Sequence, residues 1–299
     1  MTEDPDANVV PFAPRRSGAP APRLARAKVN LFLHLRGRRE DGYHRLDSLV
    51  VFPEIGDVLA CENGPGLGLT LGGPFGFDLP SDGDNLVLRA AERLAAATGQ
   101  ARPRAALHLA KNLPVASGIG GGSTDAAVAL DLLAEAWGVR VPDDLALALG
   151  ADVPVCRRQP RPTRMTGIGE TLEDVPALPS VWMVLANPLV QVETRAVFAA
   201  TPGKHGTPTP PWPEGGFDDA AALVDWLGDT ANDLAPGAVR VCPSVGAVLD
   251  TLADAPFARM SGSGATCFAL HADEAAALDQ ADALRRAHPG WWVAAARCG

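Results

Sequence analysis

The chain has 299 residues, 47% of them hydrophobic and 20% charged, with a formal net charge of -9, which describes a globular protein long enough for two domains. The acidic balance argues against a general nucleic-acid binder or a protein of anionic membrane surfaces, because both normally carry a broad basic face. No apolar run approaches the ~20 residues of a membrane span, the N-terminus lacks the apolar region of a signal peptide, and the five cysteines are scattered without metal-ligand spacing, so we expect a cytoplasmic protein with reduced thiols.

The N-terminal part of the chain predicts a tail followed by a strand. Residues 1–22 are rich in Pro, Ala and charge without periodicity, which predicts a disordered tail. Residues 26–35, RAKVNLFLHL, alternate as a β-strand does. The alternation places on one face Val29, Leu31, Leu33 and Leu35, and on the other Lys28, Asn30, Phe32 and His34. Lys28 and Asn30 therefore point the same way, either at a solvated edge, which is the commoner case, or into a site.

A polar turn around Asp41 and Gly42 precedes Tyr43, the only tyrosine of the chain, and His44. A second apolar strand follows at residues 49–52. A Tyr–His pair beside a turn can stack on a flat base and hydrogen-bond its edge, although a partly buried pair at a rim is the commoner outcome.

Residues 111–137, KNLPVASGIGGGSTDAAVALDLLAEAW, predict a glycine-rich loop that runs into an amphipathic helix. Before it, residues 57–71 predict a strand with a Gly-rich turn, residues 85–98 a helix, and residues 105–109 a strand. The loop glycines allow positive φ angles and close approach of a bulky anion. Ser123 or Thr124 is the predicted N-cap of the helix, which Gly138 ends. Because the first N–H groups and the positive end of the helix dipole face the loop, we expect a phosphate site.

The loop does not match the commoner phosphate motifs. A P-loop needs a lysine before the Ser/Thr, where this chain has Gly122, and a dinucleotide fingerprint needs a glycine where it has Ser123. An HRD loop followed by DFG, which marks protein kinases, is absent from the sequence. The glycines alone leave a flexible turn that caps an ordinary helix about as credible as a phosphate site.

Asp152 is the carboxylate that we single out after the loop. Residues 143–149 predict a second helix, which Gly150 ends. Because Pro154 disfavours helical backbone at Val153, we expect Asp152 in a constrained turn between that helix and a strand. The spacing alone favours a turn or capping aspartate. The alternative is a carboxylate held beside the phosphate site as a general base or an electrostatic orienter.

The second half of the chain predicts an antiparallel sheet with helices on one side. Further expected features are a Gly-rich hairpin at residues 164–172, a surface loop at 202–216, and a Gly/Ser turn at 261–264 inside RMSGSGATCFAL. We predict three strands in this half: residues 181–186, an apolar strand that follows the Gly/Ser turn, and residues 291–296. The predicted helices are at residues 193–200, 218–227, 243–252 and 274–287.

Three stretches together resemble the three motifs of the GHMP small-molecule kinases: RAKVNLFLHL, LPVASGIGGGSTDAA and MSGSGATCFAL. Four further segments resemble one family within this group more specifically: AKVNLFLHLRGRREDGYHRLDSL, GADVPV, GIGETLEDVP and the NDLAPGA segment at residues 232–238. The resemblance implies an α+β, two-domain GHMP kinase fold. Its N-terminal, ribosomal-protein-S5-like domain is expected at residues 23–178 and its C-terminal, ferredoxin-like domain at residues 179–299.

The resemblance further implies an ATP-dependent kinase that phosphorylates the 2-hydroxyl of a cytidine diphosphate methylerythritol in the non-mevalonate (MEP) pathway of isoprenoid biosynthesis. The expected partners are these small molecules, with Mg²⁺ bridging phosphate oxygens and Ser123, and no nucleic acid or membrane. We expect a monomer or a weak homodimer.

The match to the family's motifs implies a role for each site residue. Asp152 accepts or orients the hydroxyl proton, and Lys28 keeps Asp152 ionised and stabilises charge near the transferring phosphoryl. Asp125 is expected to face away from the phosphates. The residues expected to bind ATP are Pro114, Val115, Ala116, Ser117, Gly118, Ile119, Gly120, Gly121, Gly122, Ser123 and Thr124. The residues expected to bind the acceptor are Asn30 at the hydroxyl end, Tyr43, His44 and Phe198 around the cytosine, and Thr194.

One departure and two alternatives accompany the resemblance. The family often has a triple-glycine start to this loop, as in GGGLGGGSS, whereas this chain has Ala116 and Ser117 before Gly118. Ala116 and Ser117 restrict the backbone there. The first alternative is another GHMP kinase of the homoserine, sugar or mevalonate type, which needs no stacked cytosine. The second is a nucleotide-binding regulator without catalysis, against which Lys28 and Asp152 argue.

Overall fold

The computed structural model describes residues 20–40, 42–77, 79–201 and 208–299. Most of the predicted tail, Asp41 of the predicted turn, and residues 202–207 of the predicted loop lie outside the described residues. The strands are β1 (Arg23–Arg26), β2 (Val29–Arg38), β3 (His44–Val51), β4 (Gly56–Glu62), β5 (Leu67–Gly72), β6 (Ala105–Ala110), β7 (Thr163–Gly167), β8 (Thr171–Asp174), β9 (Val181–Asn187), β10 (Phe257–Met260), β11 (Cys267–His271) and β12 (Trp292–Cys298). The helices are α1 (Leu86–Ala97), α2 (Gly121–Trp137), α3 (Leu145–Leu149), α4 (Val153–Cys156), α5 (Thr194–Ala199), α6 (Ala220–Gly228), α7 (Ala235–Val241), α8 (Pro243–Leu252) and α9 (Glu274–Ala287).

The chain forms two compact units, each built from separate stretches of sequence. Unit 1 contains the described residues up to 27, residues 55–115 and residues 121–157, and unit 2 contains residues 28–54, 116–120 and 158–299. The glycine-rich loop therefore contributes residues to both units. This division by compactness differs from the predicted consecutive domains 23–178 and 179–299, which stay a prediction.

Unit 1 is a sheet with the strand order β1-β4-β6-β5 and helices α1 to α4. The segment predicted as a strand with a Gly-rich turn forms β4 and β5, which both pair with β6, antiparallel and parallel respectively. Helix α1 begins where the sequence predicts, because the Asn85 side chain accepts the N–H of Val87 at 3.0 Å. Helix α2 ends as predicted, with Gly138 at a φ of 63°.

Unit 2 contains two antiparallel sheets, with strand orders β2-β3-β7-β8 and β10-β11-β9-β12. The predicted hairpin at 164–172 is confirmed as β7 and β8. In the second sheet, Val184, Ala186 and Cys267 point to one face and share a core with Val245 of α8 and Ala277 of α9. The predicted antiparallel sheet with helices on one side is therefore confirmed.

Helix α7 is the element of unit 2 that the sequence pattern missed. It contains Pro236 and Gly237, which favour a loop when they are read locally. Proline is accepted in a first helical turn, because the N–H that it lacks has no intrahelical partner there. The five cysteines all lie in the described part of the chain, are buried, and are free thiols.

Candidate active site

Lys28 lies just before β2 and packs against the glycine-rich loop within unit 2. β1 ends at Arg26 and β2 begins at Val29, so the strand predicted over residues 26–35 is confirmed from Val29 onward but is interrupted at residues 27 and 28. The N–H of Lys28 donates to the carbonyl of Ile119 at 2.8 Å, and a Cβ on Gly120 would lie 3.0 Å from its Cβ. Lys28 is only 5% exposed, so the solvated-edge interpretation is wrong.

The part of the loop that belongs to unit 2 has left-handed backbone at three positions. The φ angles are 52° at Ala116, 77° at Gly118 and 64° at Gly120. A Cβ on Gly118 would come within 2.5 Å of the carbonyl oxygen of Gly264, so glycine is needed there for space as well. The left-handed conformation of Ala116 costs roughly 1–2 kcal/mol, which is the physical form of the restriction expected from the sequence.

The predicted Gly/Ser turn at residues 261–264 holds this part of the loop. The Ser261 hydroxyl donates to the carbonyl of Gly118 at 3.2 Å and accepts the backbone N–H of Asn30 at 3.1 Å. The N–H of Thr266 donates to the carbonyl of Ser117 at 3.1 Å. Ser261 therefore joins the three stretches that resemble the family motifs, a role that the sequence did not indicate.

Two buried asparagines support the same turn. The Asn232 amide donates to the carbonyls of Met260 and Gly262, both at 2.8 Å, which gives the NDLAPGA segment a structural role. The Asn30 amide donates to the Ser48 hydroxyl at 2.7 Å, and its carbonyl oxygen has no hydrogen-bond partner among the described residues. A buried acceptor without a partner is uncommon and marks a place where a ligand or water can donate.

Helix α2 begins earlier than the sequence indicates. It starts at Gly121, so Ser123 and Thr124 lie in its first turn, and the prediction that either is the N-cap is wrong. Glycine is a poor helix former, which is why the pattern placed the start later. The Thr124 hydroxyl donates instead to the thiol of Cys156 at 3.3 Å. The start of this helix, with its dipole and its first N–H groups, is the type of structure that binds anions.

A buried ion cluster in unit 1 lies beside the start of α2. Lys111 Nζ is 2.9 Å from Asp125 Oδ2 and also contacts Asp57 Oδ2, and each of the three residues is at most 3% exposed. Burial raises the pKa of Asp125 to about 8, although the Lys111 charge opposes this shift. Burial lowers the pKa of Lys111, but the two carboxylates outweigh it and raise that pKa. Asp125 thus points at Lys111, and the sequence indicated neither Lys111 nor Asp57 as its partner.

Asp152 lies at the N-terminal cap position of α4, in unit 1. Val153 and Pro154 form the first turn of this helix, so the predicted extended Val153 and the strand after it are wrong. The first turn of a helix accepts proline without losing a hydrogen bond. The backbone of Asp152 is itself helical, at φ -86° and ψ -15°, and its side chain makes no capping hydrogen bond to α4. The capping interpretation of Asp152 is therefore wrong.

His44 and Phe198 form a stacked pair in unit 2. Their ring centroids are 4.8 Å apart and their planes are inclined by 28°. Burial, together with the charge of Arg38, lowers the pKa of His44, so the imidazole is neutral at pH 7. The neighbouring Tyr43 is 64% exposed. Phe198 thus covers one face of the imidazole and leaves the ring edge for hydrogen bonding.

A buried carboxylate on β3 was also missed by the sequence analysis. Asp47 accepts hydrogen bonds from Arg164 at 2.9 and 3.0 Å and from the Thr209 hydroxyl at 2.6 Å. His34 Nε2 accepts the N–H of Ala231 at 2.9 Å, so Nδ1 carries the proton and donates to Thr209 at 3.1 Å. Burial raises the pKa of Asp47, but the hydrogen bonds from Arg164 and Thr209 outweigh it and hold that pKa below its ordinary value. This network fixes the sheet that carries His44.

The predicted site residues are divided between the two units. Unit 2 holds Lys28, Asn30, Tyr43, His44, Ala116, Ser117, Gly118, Ile119, Gly120, Thr194 and Phe198. Unit 1 holds Pro114, Val115, Gly121, Gly122, Ser123, Thr124 and Asp152. Within unit 2, the Thr194 and Ser263 hydroxyls are hydrogen-bonded at 2.9 Å, so α5 is tied to the Gly/Ser turn as well.

Among the helices of the described residues, none combines the length and the apolar character that crossing a membrane requires.

Models of two protein domains match the chain. The N-terminal domain of the GHMP kinases matches residues 85–157, which include the start of α2 and Asp152. The C-terminal domain of the GHMP kinases matches residues 215–290, which include the Gly/Ser turn. The class of protein that the fold and these motifs define is therefore the GHMP kinases, and the predicted α+β fold is confirmed.

Full-length relatives narrow this class. The 4-diphosphocytidyl-2-C-methyl-D-erythritol kinase of Paramagnetospirillum magneticum is 50% identical and covers 91% of this chain and 96% of the relative. The kinase of the same name from Rhodopseudomonas palustris is 49% identical, and the match covers 90% of this chain and 94% of that relative. A crystal structure of 4-(cytidine 5'-diphospho)-2C-methyl-D-erythritol kinase is 35% identical, with a TM-score of 0.76 over 93% of this chain and 99% of that one. A homoserine kinase from Cytophaga hutchinsonii, at 16% identity and a TM-score of 0.62, shares the fold alone.

The chain belongs to the family of 4-diphosphocytidyl-2-C-methyl-D-erythritol kinases. It is thus an enzyme of the small-molecule kinase type with ATP as a substrate.

Proposed function

We propose that the chain transfers the γ-phosphoryl group of ATP to the 2-hydroxyl of 4-diphosphocytidyl-2-C-methyl-D-erythritol in the non-mevalonate (MEP) pathway to isoprenoid precursors. The observation that carries this proposal is the 50% identity, over 91% of the chain, to a relative that bears this activity in its name. The glycine-rich loop that leads into α2 supports it, because such a loop and helix start bind phosphate groups.

Lys28 and Asp152 carry the chemistry in this proposal. The Asp152 carboxylate accepts the proton of the 2-hydroxyl while that oxygen attacks the γ-phosphorus. The bond between the γ-phosphorus and the β,γ-bridging oxygen breaks, and ADP leaves. The Lys28 ammonium keeps Asp152 ionised and stabilises charge on the transferring phosphoryl. The family match supports both roles, and the burial of Lys28 supports its own role, since lysine is rarely fully buried unless its charge is paired.

The loop from Pro114 to Thr124 binds the ATP phosphates through backbone N–H groups. Among the described residues, no cluster of three His, Cys, Asp or Glu side chains could hold a metal ion by itself. Phosphate oxygens would be the principal ligands of the Mg²⁺ that accompanies ATP, and the Ser123 hydroxyl in the first turn of α2 would be the protein ligand. When bound, the metal would neutralise part of the phosphate charge.

The acceptor binds through its cytosine and through the end that carries the hydroxyl. Tyr43 and Phe198 provide aromatic faces for the base, and Thr194 lines the same site. The neutral imidazole of His44, with one face on Phe198, directs its edge to the polar atoms of cytosine. Asn30 holds the hydroxyl end, and its buried carbonyl oxygen, which lacks a partner among the described residues, supports that role. The proposal includes a cytoplasmic monomer or weak homodimer without nucleic-acid partners.

The decisive experiment compares acceptors. The purified full-length chain is supplied with ATP and Mg²⁺ and, separately, with the cytidine diphosphate alcohol, homoserine, galactose or mevalonate, and ADP release is measured. We expect kcat/KM for the cytidine compound to exceed that for each other acceptor by at least about a hundredfold, because the others leave the base-binding groups unpaired. Phosphorus NMR of the product identifies the phosphorylated hydroxyl. Equal turnover with homoserine or galactose would replace this function by another GHMP kinase activity.

A further inference from the structure

The ion cluster of Asp57, Lys111 and Asp125 is connected to the segment that enters the glycine-rich loop. One carboxylate oxygen of Asp57 contacts Lys111, and the other accepts the backbone N–H groups of Asn112 at 2.6 Å and Leu113 at 2.8 Å. Leu113 directly precedes the first loop residue. A single side chain on β4 therefore fixes two consecutive peptide groups at the entrance of the loop.

The same cluster is connected to the segment that leaves the loop. Asp125 lies in the N-terminal part of α2, and its Oδ2 atom accepts a hydrogen bond from Lys111 Nζ at 2.9 Å. Gly121, the first residue of α2, leaves room for this ammonium, since a Cβ there would lie 2.8 Å from Lys111 Nζ. Lys111 therefore contacts a carboxylate on the exit side while Asp57 binds both Lys111 and the entrance.

Stability alone is a weak explanation for these charges. Desolvation of buried ions costs so much that apolar residues of similar volume often stabilise a fold equally well. What the ions supply here is direction, because both oxygens of Asp57 are used: one contacts Lys111, and the two hydrogen bonds to the other each fix one backbone N–H group. Lys111 is 3% exposed and Asp57 is fully buried, so water does not compete for these bonds.

The charge of the cluster also suits a loop that receives phosphates. Two ionised carboxylates and one ammonium would leave a net negative charge beside the start of α2. Burial raises the pKa of Asp125 to about 8, so at neutral pH this carboxyl is mainly protonated and the cluster is close to neutral.

We propose that Asp57, Lys111 and Asp125 are positioning residues that hold the entrance and the exit of the glycine-rich loop in the arrangement that binds the ATP phosphates. They touch neither substrate, and they act through the backbone that they fix. The proposal rests on the proposed function for the identity of the ligand.

The test separates the anchoring of the loop from the charge of the cluster. Asp57→Ala removes the acceptor of two backbone N–H groups, whereas Asp57→Asn keeps an oxygen that can accept both. We expect Asp57→Ala to raise the KM for ATP, and the dissociation constant of ATP measured calorimetrically without acceptor, by about ten- to a hundredfold, the range that small misplacements cause. Asp57→Asn should recover most of this loss, and the KM for the acceptor should stay unchanged in both variants.

The matched control is Asp131→Asn, which removes a charge from α2, the helix that also carries Asp125. Asp131 pairs with Arg157 at 2.8 Å and its side chain is 33% exposed, so we expect its loss to change the KM for ATP by less than about twofold. Thermal unfolding of every variant identifies a folding defect. If Asp57→Ala does not fold, Asp125→Ala, which removes the carboxyl that Lys111 contacts on the exit side, replaces it and should also weaken ATP binding.

The outcomes distinguish the two proposals. ATP constants that match the unaltered chain in folded Asp57→Ala, or in Asp125→Ala where it replaces that variant, overturn the positioning role. So does a lowered unfolding temperature with ATP constants that do not change. The unaltered chain could fail to phosphorylate the cytidine acceptor while the variants still bind ATP more weakly than it does. That combination supports the positioning role and rejects the proposed acceptor. Absence of ATP binding by the unaltered chain overturns both proposals.

Discussion

Asp125→Asn is expected to change how the stability of the chain depends on pH. The pKa of Asp125 is about 8 in the folded chain against an ordinary value of 3.8, because the carboxyl is buried. Between these two values the folded chain binds more protons at this site than the unfolded chain does. The unfolding free energy therefore falls as the pH rises through this window, by at most about 1.4 kcal/mol per pH unit, and the fall ends above the folded pKa.

The expected effect is large enough to measure near neutral pH. From pH 6 to pH 7.5 the proton on Asp125 accounts for a loss of about 2 kcal/mol in the wild-type chain. The asparagine that replaces Asp125 in the variant has the same shape but cannot ionise, so the variant does not undergo this loss. The difference in unfolding free energy between the variant and the wild type should therefore grow in favour of the variant as the pH rises.

Urea unfolding at half-unit pH steps, followed by circular dichroism, measures this difference. Asp131→Asn serves as the control, since Asp131 lies on the same helix and its side chain is one-third exposed. Its pH dependence should follow that of the wild type within about 0.5 kcal/mol. Parallel curves for the wild type and Asp125→Asn would refute the buried, protonated carboxyl, and so would a wild type that gains stability over the variant as the pH rises.

Three further substitutions test the site. Asp152→Asn should lower kcat by about 10²- to 10⁴-fold in steady-state assays while the dissociation constant of ATP is kept, and unchanged turnover would remove Asp152 from its role as base. Phe198→Ala removes the ring that stacks on His44 at 4.8 Å and should raise the KM for the acceptor about two- to tenfold, and an equal rise in the KM for ATP would contradict a role specific to the base. Ala116→Gly relieves a φ of 52° and should raise the unfolding free energy in urea by up to about 1 kcal/mol, whereas a less stable variant would contradict strain at this position.

Local pattern predicted the regular elements well where one face repeats and the ends carry capping residues. The helix predicted at 85–98 is α1, with its Asn85 cap, and the helix predicted at 274–287 is α9, where the Asp273 side chain accepts the N–H of Ala276 at 2.9 Å. These ends depend on contacts within three residues, which a sequence displays directly. The antiparallel sheet of the C-terminal half followed from the same local periodicity.

Local pattern failed where glycine or proline occurs inside a helix. Gly121 begins α2, although glycine costs about 1 kcal/mol relative to alanine in a helix interior, and Pro154 and Pro236 lie in the first turns of α4 and α7. A first helical turn tolerates all three, because its N–H groups are unused there and packing fixes the backbone. Sequence rules treat these residues as helix breakers, so they placed one helix start too late, replaced α4 by a turn and a strand, and missed α7.

The ion cluster could not be predicted, because its members are far apart in the sequence and each has an ordinary local explanation. Asp57 lies near a strand start, Lys111 directly follows a strand, and Asp125 lies in the N-terminal part of a helix, where acidic residues are common. Only the pairing of β4 with β6 brings the first two together. The same holds for Asp47 and Thr209, which are 162 positions apart in the chain.

The three motif stretches differ from these clusters, because their resemblance to the family was visible while the reason for their co-occurrence was not. In unit 2, Ser261 of the third stretch accepts a hydrogen bond from the backbone of Asn30 in the first and donates one to Gly118 in the second. Gly118 can approach Gly264 only because it has no Cβ. Each stretch therefore takes its functional conformation from hydrogen bonds with the others. A match to one stretch alone says little about a site, whereas the three together specify one bonded structure, which is why their joint presence in this chain predicted the fold correctly.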